Sequence, residues 1–133
     1  MMRILIIDDD ETVRNTTTVL LEGRGFDVVA VANGESGIDA VNAAPFDAVI
    51  VDLFMPKMDG LKTTRAIHQQ SPATPIIAVS GFMFRGRCPT MPDFRPMATE
   101  AGAVTTLYKP LRPNELVQAI AYATGTQPIE TCN

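Results

Sequence analysis

The sequence predicts an α/β domain built on a five-stranded parallel sheet wound on both faces, and three observations predict it. Strand-like runs alternate with helix-patterned segments five times along the 133 residues. The runs Ile4–Ile7, Ala48–Val51 and Ile76–Val79 are apolar throughout rather than alternately polar, as strands covered on both faces are. Between strands the chain is long enough for helical crossovers, which in a parallel sheet are right-handed and cover a face.

In order, Ile4–Ile7 is the first strand and ends at Asp8, Asp9 and Asp10. Glu11 to Arg24 reads as a helix with Val13, Thr17, Leu20 and Leu21 on its inner face, closed by Gly23 and Gly25. Its run Thr16-Thr17-Thr18 has poor helix propensity, so tertiary packing must hold it. The second strand, Asp27–Ala32, meets an Asn33-Gly34 turn, and a short helix from Glu35 to Ala44, with Ile38 and Val41 inward, stops at Pro45. Ala48–Val51 is the third strand. Leu61–Gln70 is the third helix, with Leu61, Thr64 and either Ile67 or His68 facing the sheet. Pro72 and Pro75 frame the link to the fourth strand, Ile76–Val79, which ends at Ser80-Gly81. Pro89, Pro92 and Pro96 forbid one regular helix in the fourth crossover, leaving Met97–Ala101 and a little upstream for it. Val104–Leu107 is the fifth strand and runs into Tyr108-Lys109-Pro110; the last helix covers Pro113 to Ala123, with Leu116, Val117 and Ile120 inward. Pro113 suits a first helical turn, whereas Arg112 is a poor N-cap. One domain over residues 1–124 and a tail over 125–133 account for the chain.

Composition narrows the function classes. Hydrophobic residues at 46% with 20% charged fit a soluble globular protein. Fifteen acidic against eleven basic residues give a net charge of −4, the wrong sign for a nucleic-acid binder. No apolar run approaches the roughly 18 residues of a membrane span, and Met1-Met2-Arg3 leads straight into a strand rather than a signal peptide. Cys88 and Cys132 are too few for a disulfide framework, which points to reduced thiols and a cytoplasmic setting. The only histidine, His68, lies in a polar helical stretch and reads as a surface residue, so a zinc site is not expected.

The chemistry gathers at strand ends. Asp8, Asp9 and Asp10 end the first strand, Asp52 the third, Ser80 the fourth and Lys109 the fifth. In a parallel sheet these ends share one edge, where α/β sheets keep their ligand sites. Clustered carboxylates repel one another unless a cation offsets them. An all-oxygen set suits Mg2+, which completes its shell with water and phosphate oxygens. A hydroxyl and an ammonium opposite such an ion suit a tetrahedral oxyanion. The set therefore suggests a carboxylate nucleophile accepting a phosphoryl group.

The motifs Ile-Leu-Ile-Ile-Asp-Asp-Asp-Glu at 4–11, Val-Asp-Leu-Phe-Met-Pro-Lys-Met-Asp-Gly at 51–60, Ala-Val-Ser-Gly at 78–81 and Gly-Ala…Tyr-Lys-Pro at 102–110 resemble those of a response-regulator receiver domain of two-component signalling, of the chemotaxis-regulator kind. The resemblance covers residues 3 to 124 and implies a flavodoxin-like sheet. It implies that Asp52 accepts the phosphoryl group, that Asp8, Asp9, Asp52 and the backbone carbonyl of Phe54 hold Mg2+, and that Ser80 and Lys109 contact the phosphoryl oxygens. It also implies a cis peptide before Pro110, a sensor histidine kinase or phosphotransfer protein as donor, a downstream protein target, and a monomer or weak dimer in the cytoplasm.

Two positions depart from the family pattern. The interval between Ser80 and Lys109 is longer than usual, and Thr106 stands where the family commonly has a Tyr or Phe. The segment Phe82–Pro96, with its aromatics and arginines on an acidic chain, is a candidate partner surface, and Phe54 and Phe82 are placed two positions beyond Asp52 and Ser80 to shield a phosphoryl group from water. From another class, Asp8-Asp9-Asp10-Glu11-Thr12 also fits the Asp-x-Asp-x-Thr pattern of a haloacid-dehalogenase-like phosphatase, with Asp8 as nucleophile and Asp10 as general acid/base. That alternative leaves Asp52 and the Met-Pro-Lys-Met-Asp-Gly turn unexplained.

Overall fold

The computed structural model describes residues 1–56, 60–80 and 95–126. Among these, strands and helices alternate in the expected order: β1 (Arg3–Ile7), α1 (Glu11–Glu22), β2 (Asp27–Val31), α2 (Gly34–Ala43), β3 (Ala48–Asp52), α3 (Gly60–Gln70), β4 (Ile76–Ser80), α4 (Arg95–Ala101), β5 (Ala103–Tyr108) and α5 (Pro113–Thr124). The strands form one five-stranded parallel sheet, ordered β2-β1-β3-β4-β5. The chain reverses its winding between β1 and β3, so the crevice outside their C-terminal ends is the topological switch point.

The unbroken apolar runs are explained by the two cores. Leu5, Ile7, Val49, Val51, Ile76 and Ala78 pack on one face with Ile67 of α3 and Ala98 of α4. Their alternates Ile4, Ile6, Ala48, Ile50, Ile77 and Val79 pack on the other with Leu21 of α1 and Leu116, Ala119 and Ile120 of α5. Side chains two apart share a face, so each strand feeds both cores.

Boundaries shift by a residue or two where local bonds decide. α1 ends at Glu22 because the N–H groups of Arg24 and Gly25 turn back only three residues, to the carbonyls of Leu21 and Glu22, and Gly25 takes a positive φ. β3 and β4 each extend one residue past the apolar run and so include Asp52 and Ser80 themselves. In α3 the choice falls to Ile67, fully buried, while His68 is exposed. The buried Thr17 and Leu21 carry α1 against the sheet through its unfavourable threonine run. Arg112 makes no side-chain cap, and Pro113 opens α5 without one. Lys57–Asp59, the 82–94 portion of the proline-rich segment, Cys88, Cys132 and the tail from 127 lie outside the described residues. No helix among the described residues is long and apolar enough to cross a membrane.

Candidate phosphoryl-acceptor site

Register brings the acids together. Ile7 of β1 pairs with Val51 of β3, so the next residues, Asp8 and Asp52, leave the sheet side by side. By alternation both follow the face of Ile6 and Ile50, the α1/α5 face, and Lys109 follows Leu107 onto the same side. Asp8 and Asp52 are buried at 4% and 3% exposure, while Asp9 is exposed. One carboxylate oxygen from each of Asp8, Asp9 and Asp52 lies within 4.8 Å of the others.

Every carboxylate oxygen of the buried pair has a partner. The backbone N–H of Phe54 donates to Asp52 Oδ1 at 3.0 Å, and that of Asp10 donates to Asp8 Oδ1 at 2.9 Å. Lys109 Nζ bridges the remaining oxygens, 3.2 Å from Asp8 Oδ2 and 3.4 Å from Asp52 Oδ2. The peptide before Pro110 is cis, and the N–H of Lys109 donates to the Ser80 carbonyl at 3.0 Å, tying β5 to the end of β4.

Burial pushes the Asp52 carboxyl up to about 6; the Phe54 N–H opposes the rise, the Asp8 charge adds to it and Lys109 works against it. Burial also works against the charge on Lys109, but the Asp52 and Asp8 carboxylates outweigh it and hold the ammonium above its ordinary value. Three carboxylates and one ammonium leave a formal charge of −2 at the cluster, which matches one divalent cation. The donors are all hard oxygens, so the residues present fit Mg2+.

The cluster opens into a cleft of about 870 Å3 between α1 and the β5–α5 connection. Asp9, Asp10, Asp52 and Lys109 contribute its charged lining, and Val13, Leu20, Leu111 and Leu116 contribute apolar walls. Phe54, 42% exposed, lines the cleft beside the Asp52 carboxylate.

Ser80 is placed differently. It is buried at the end of β4 and joined to Lys109 through its carbonyl, but in the alternation of β4 it follows Ile76 and Ala78, and it does not line the cleft. Asp10 is also set apart, because its Oδ1 accepts the N–H groups of Thr12 and Val13 and caps α1. A carboxylate committed to a helix cap is a poor general acid, so the phosphatase alternative built on Asp8 and Asp10 is not favoured. Arg14 was not legible as a site residue: its Nη1 donates to the backbone carbonyl of Asp8 at 2.9 Å. The signal that could have found it is geometric, since long helical side chains lean toward the helix N-terminus, here the end of β1.

Three comparisons bear on this geometry. The family model described as the response regulator receiver domain matches residues 4–121. Among curated relatives, the DNA-binding response regulator MtrA of Mycolicibacterium paratuberculosis is 31% identical over 118 residues, 89% of this chain and 49% of that protein. A protein-glutamate methylesterase/protein-glutamine glutaminase of Halobacterium salinarum is 36% identical over 111 residues, 83% of this chain and 30% of that protein. The chain thus spans about half or less of the length of these relatives. Among solved structures, the chemotaxis protein CheY4 of Vibrio cholerae superposes with a TM-score of 0.82 at 27% identity, covering 92% of this chain and 98% of that one. A receiver domain protein from Clostridium thermocellum gives 0.80 at 28% identity, covering 94% and 95%.

Proposed function

This chain belongs to the response regulator receiver domain family of two-component systems, and from that premise we propose that it takes a phosphoryl group on Asp52 and passes the change to a protein partner. Receiver domains are signalling domains, and the chemistry assigned here is confined to the chain's own phosphorylation and dephosphorylation. The unit carrying it is residues 1–124, with 125–133 as a tail.

One observation carries the reading: of the two buried carboxylates, Asp8 and Asp52, each held between a backbone N–H and the Lys109 ammonium, Asp52 is the one that lines the cleft, with Asp8 and Asp9 beside it. Asp8, Asp9, Asp52 and the Phe54 carbonyl would hold Mg2+. When bound, that ion offsets the charge of acceptor and phosphoryl oxygens. In the step proposed, an Asp52 oxygen forms a bond to phosphorus as the bond from phosphorus to a donor imidazole nitrogen breaks. The electron pair stays on that nitrogen, which takes up a proton, and Asp52 becomes an acyl phosphate. Lys109 Nζ then pairs with a phosphoryl oxygen, and Ser80, one residue beyond the Val79 that pairs with Asp52, is assigned to another, its hydroxyl turning from its place outside the cleft toward the phosphorylated Asp52.

The donor proposed is a sensor histidine kinase or a phosphotransfer protein. The apolar-walled cleft beside Asp52 supports a protein donor, because Val13, Leu20 and Leu111 offer a docking protein apolar contact next to the carboxylate. The net charge of −4 supports protein rather than nucleic-acid partners for this domain; the DNA binding in the name of MtrA is that protein's.

Treatment with acetyl phosphate and Mg2+, followed by intact mass measurement, tests the reading. Wild type should gain one phosphate, and Asp52→Asn should gain none. An equal gain in Asp52→Asn would overturn the assignment.

A further inference from the structure

The carbonyl bond of Arg14 gives this side chain a task that the phosphoryl chemistry leaves unassigned. Asp8 is the most completely tethered residue of the cluster. Its N–H donates to the Val31 carbonyl at 3.1 Å, its Oδ1 accepts from Asp10 N–H and its Oδ2 faces Lys109 Nζ. Its own carbonyl is met by Arg14 Nη1 at 2.9 Å, from the start of α1. The strand has ended by this residue, no backbone N–H among the described residues bonds that carbonyl, and the guanidinium takes the ladder's place.

We infer that Arg14 is a positioning residue: by holding the Asp8 carbonyl it fixes the peptide plane from which the Asp8 carboxylate is aimed at Asp52 and Lys109, and so sets the affinity of the acidic cluster for Mg2+. The inference rests on the proposed metal role of Asp8. It acts through backbone geometry, in the way that groups behind metal ligands orient them.

Electrostatics alone makes the opposite prediction, which is what makes the idea testable. Arg14 is a cation close to a cation site, so if its charge were all that mattered, removing it would tighten Mg2+ binding. If it positions Asp8, removing it weakens binding. Arg14→Met keeps the apolar stem and removes both charge and donor; Arg14→Lys keeps the charge and a donor. Titration calorimetry with Mg2+ alone, on the full chain, should give roughly tenfold weaker binding for Arg14→Met and recovery to within about threefold of wild type for Arg14→Lys. Thermal melts of the metal-free proteins separate this from loss of fold, because a merely structural tether would lower the melting temperature and leave the Mg2+ affinity of the folded fraction alone. Unchanged or tighter Mg2+ binding in Arg14→Met would overturn the role. An absence of Mg2+ binding in wild type would overturn the metal site itself, and this role with it.

Discussion

Two cations stand beside the acidic cluster, and they act on it in opposite senses. Arg14 holds a backbone carbonyl, whereas Lys109 lies on the carboxylate oxygens themselves, bridging Asp8 and Asp52. A divalent ion arriving among Asp8, Asp9 and Asp52 has to compete with that ammonium. Lys109→Ala should therefore leave Mg2+ affinity unchanged or raise it by about threefold, while the phosphorylated protein should lose the group proposed to pair with the phosphoryl oxygen. Metal titration followed by calorimetry checks the first part, and a partner-binding or phosphoryl-transfer assay the second. A large fall in Mg2+ affinity would contradict the placement of Lys109 outside the ligand set. Arg14→Met, in contrast, should weaken the same binding, so the two substitutions distinguish charge from geometry at one site.

At the scale of elements, the β3–α3 junction sets where Asp52 stands. The N–H of Gly60 donates to the Leu53 carbonyl at 3.2 Å, and a methyl group added at Gly60 would run into the Asp52 carbonyl and the Cα of Leu53. Both obstacles are backbone, so the first turn of α3 would have to move away from the strand. Gly60→Ala should cost roughly 1–3 kcal/mol of stability by overpacking and slow phosphorylation further by displacing Asp52 and Phe54. Chemical denaturation with timed phosphorylation by acetyl phosphate measures both effects. Wild-type stability in the variant would refute the contact. The glycine was legible in sequence as part of a turn motif, but its reason was not, since it depends on how closely a helix end approaches a strand distant in neither sequence nor space. The same holds for other elements. Apolar runs revealed the five strands, because buried parallel strands leave an unbroken local signature. The convergence of Asp8, Asp52 and Lys109 followed from their places at strand ends. The commitment of Asp10 to the α1 cap and the reach of Arg14 depended on side-chain direction, which residue spacing records only weakly.

For the whole molecule, the buried charge of Asp52 is a cost to the metal-free fold that a bound cation would offset. The Asp52 carboxyl is raised from 3.8 to about 6, chiefly by burial. A carboxyl raised in the fold contributes fully below its unfolded value, when it is protonated in both states. Its contribution is lost as pH rises through 3.8 toward about 6, because the unfolded chain releases the proton first. Lys109, held above its ordinary value, stabilises throughout this range and loses its contribution only in alkali. At about 1.4 kcal/mol per pH unit the Asp52 displacement corresponds to roughly 3 kcal/mol, and access of solvent through the cleft reduces it to about 1–2 kcal/mol. Metal-free Asp52→Asn should therefore be more stable than wild type by about that amount at pH 7, with the difference shrinking toward pH 4. Adding Mg2+ at neutral pH should narrow the same gap from the other side, since the ion binds the folded wild type and stabilises it by mass action. Urea denaturation across this pH range, with and without Mg2+, measures all three trends. A variant less stable than wild type at pH 7 without metal would show that Asp52 is held there as a favourable ion pair with Lys109, not as a strained acceptor awaiting a cation.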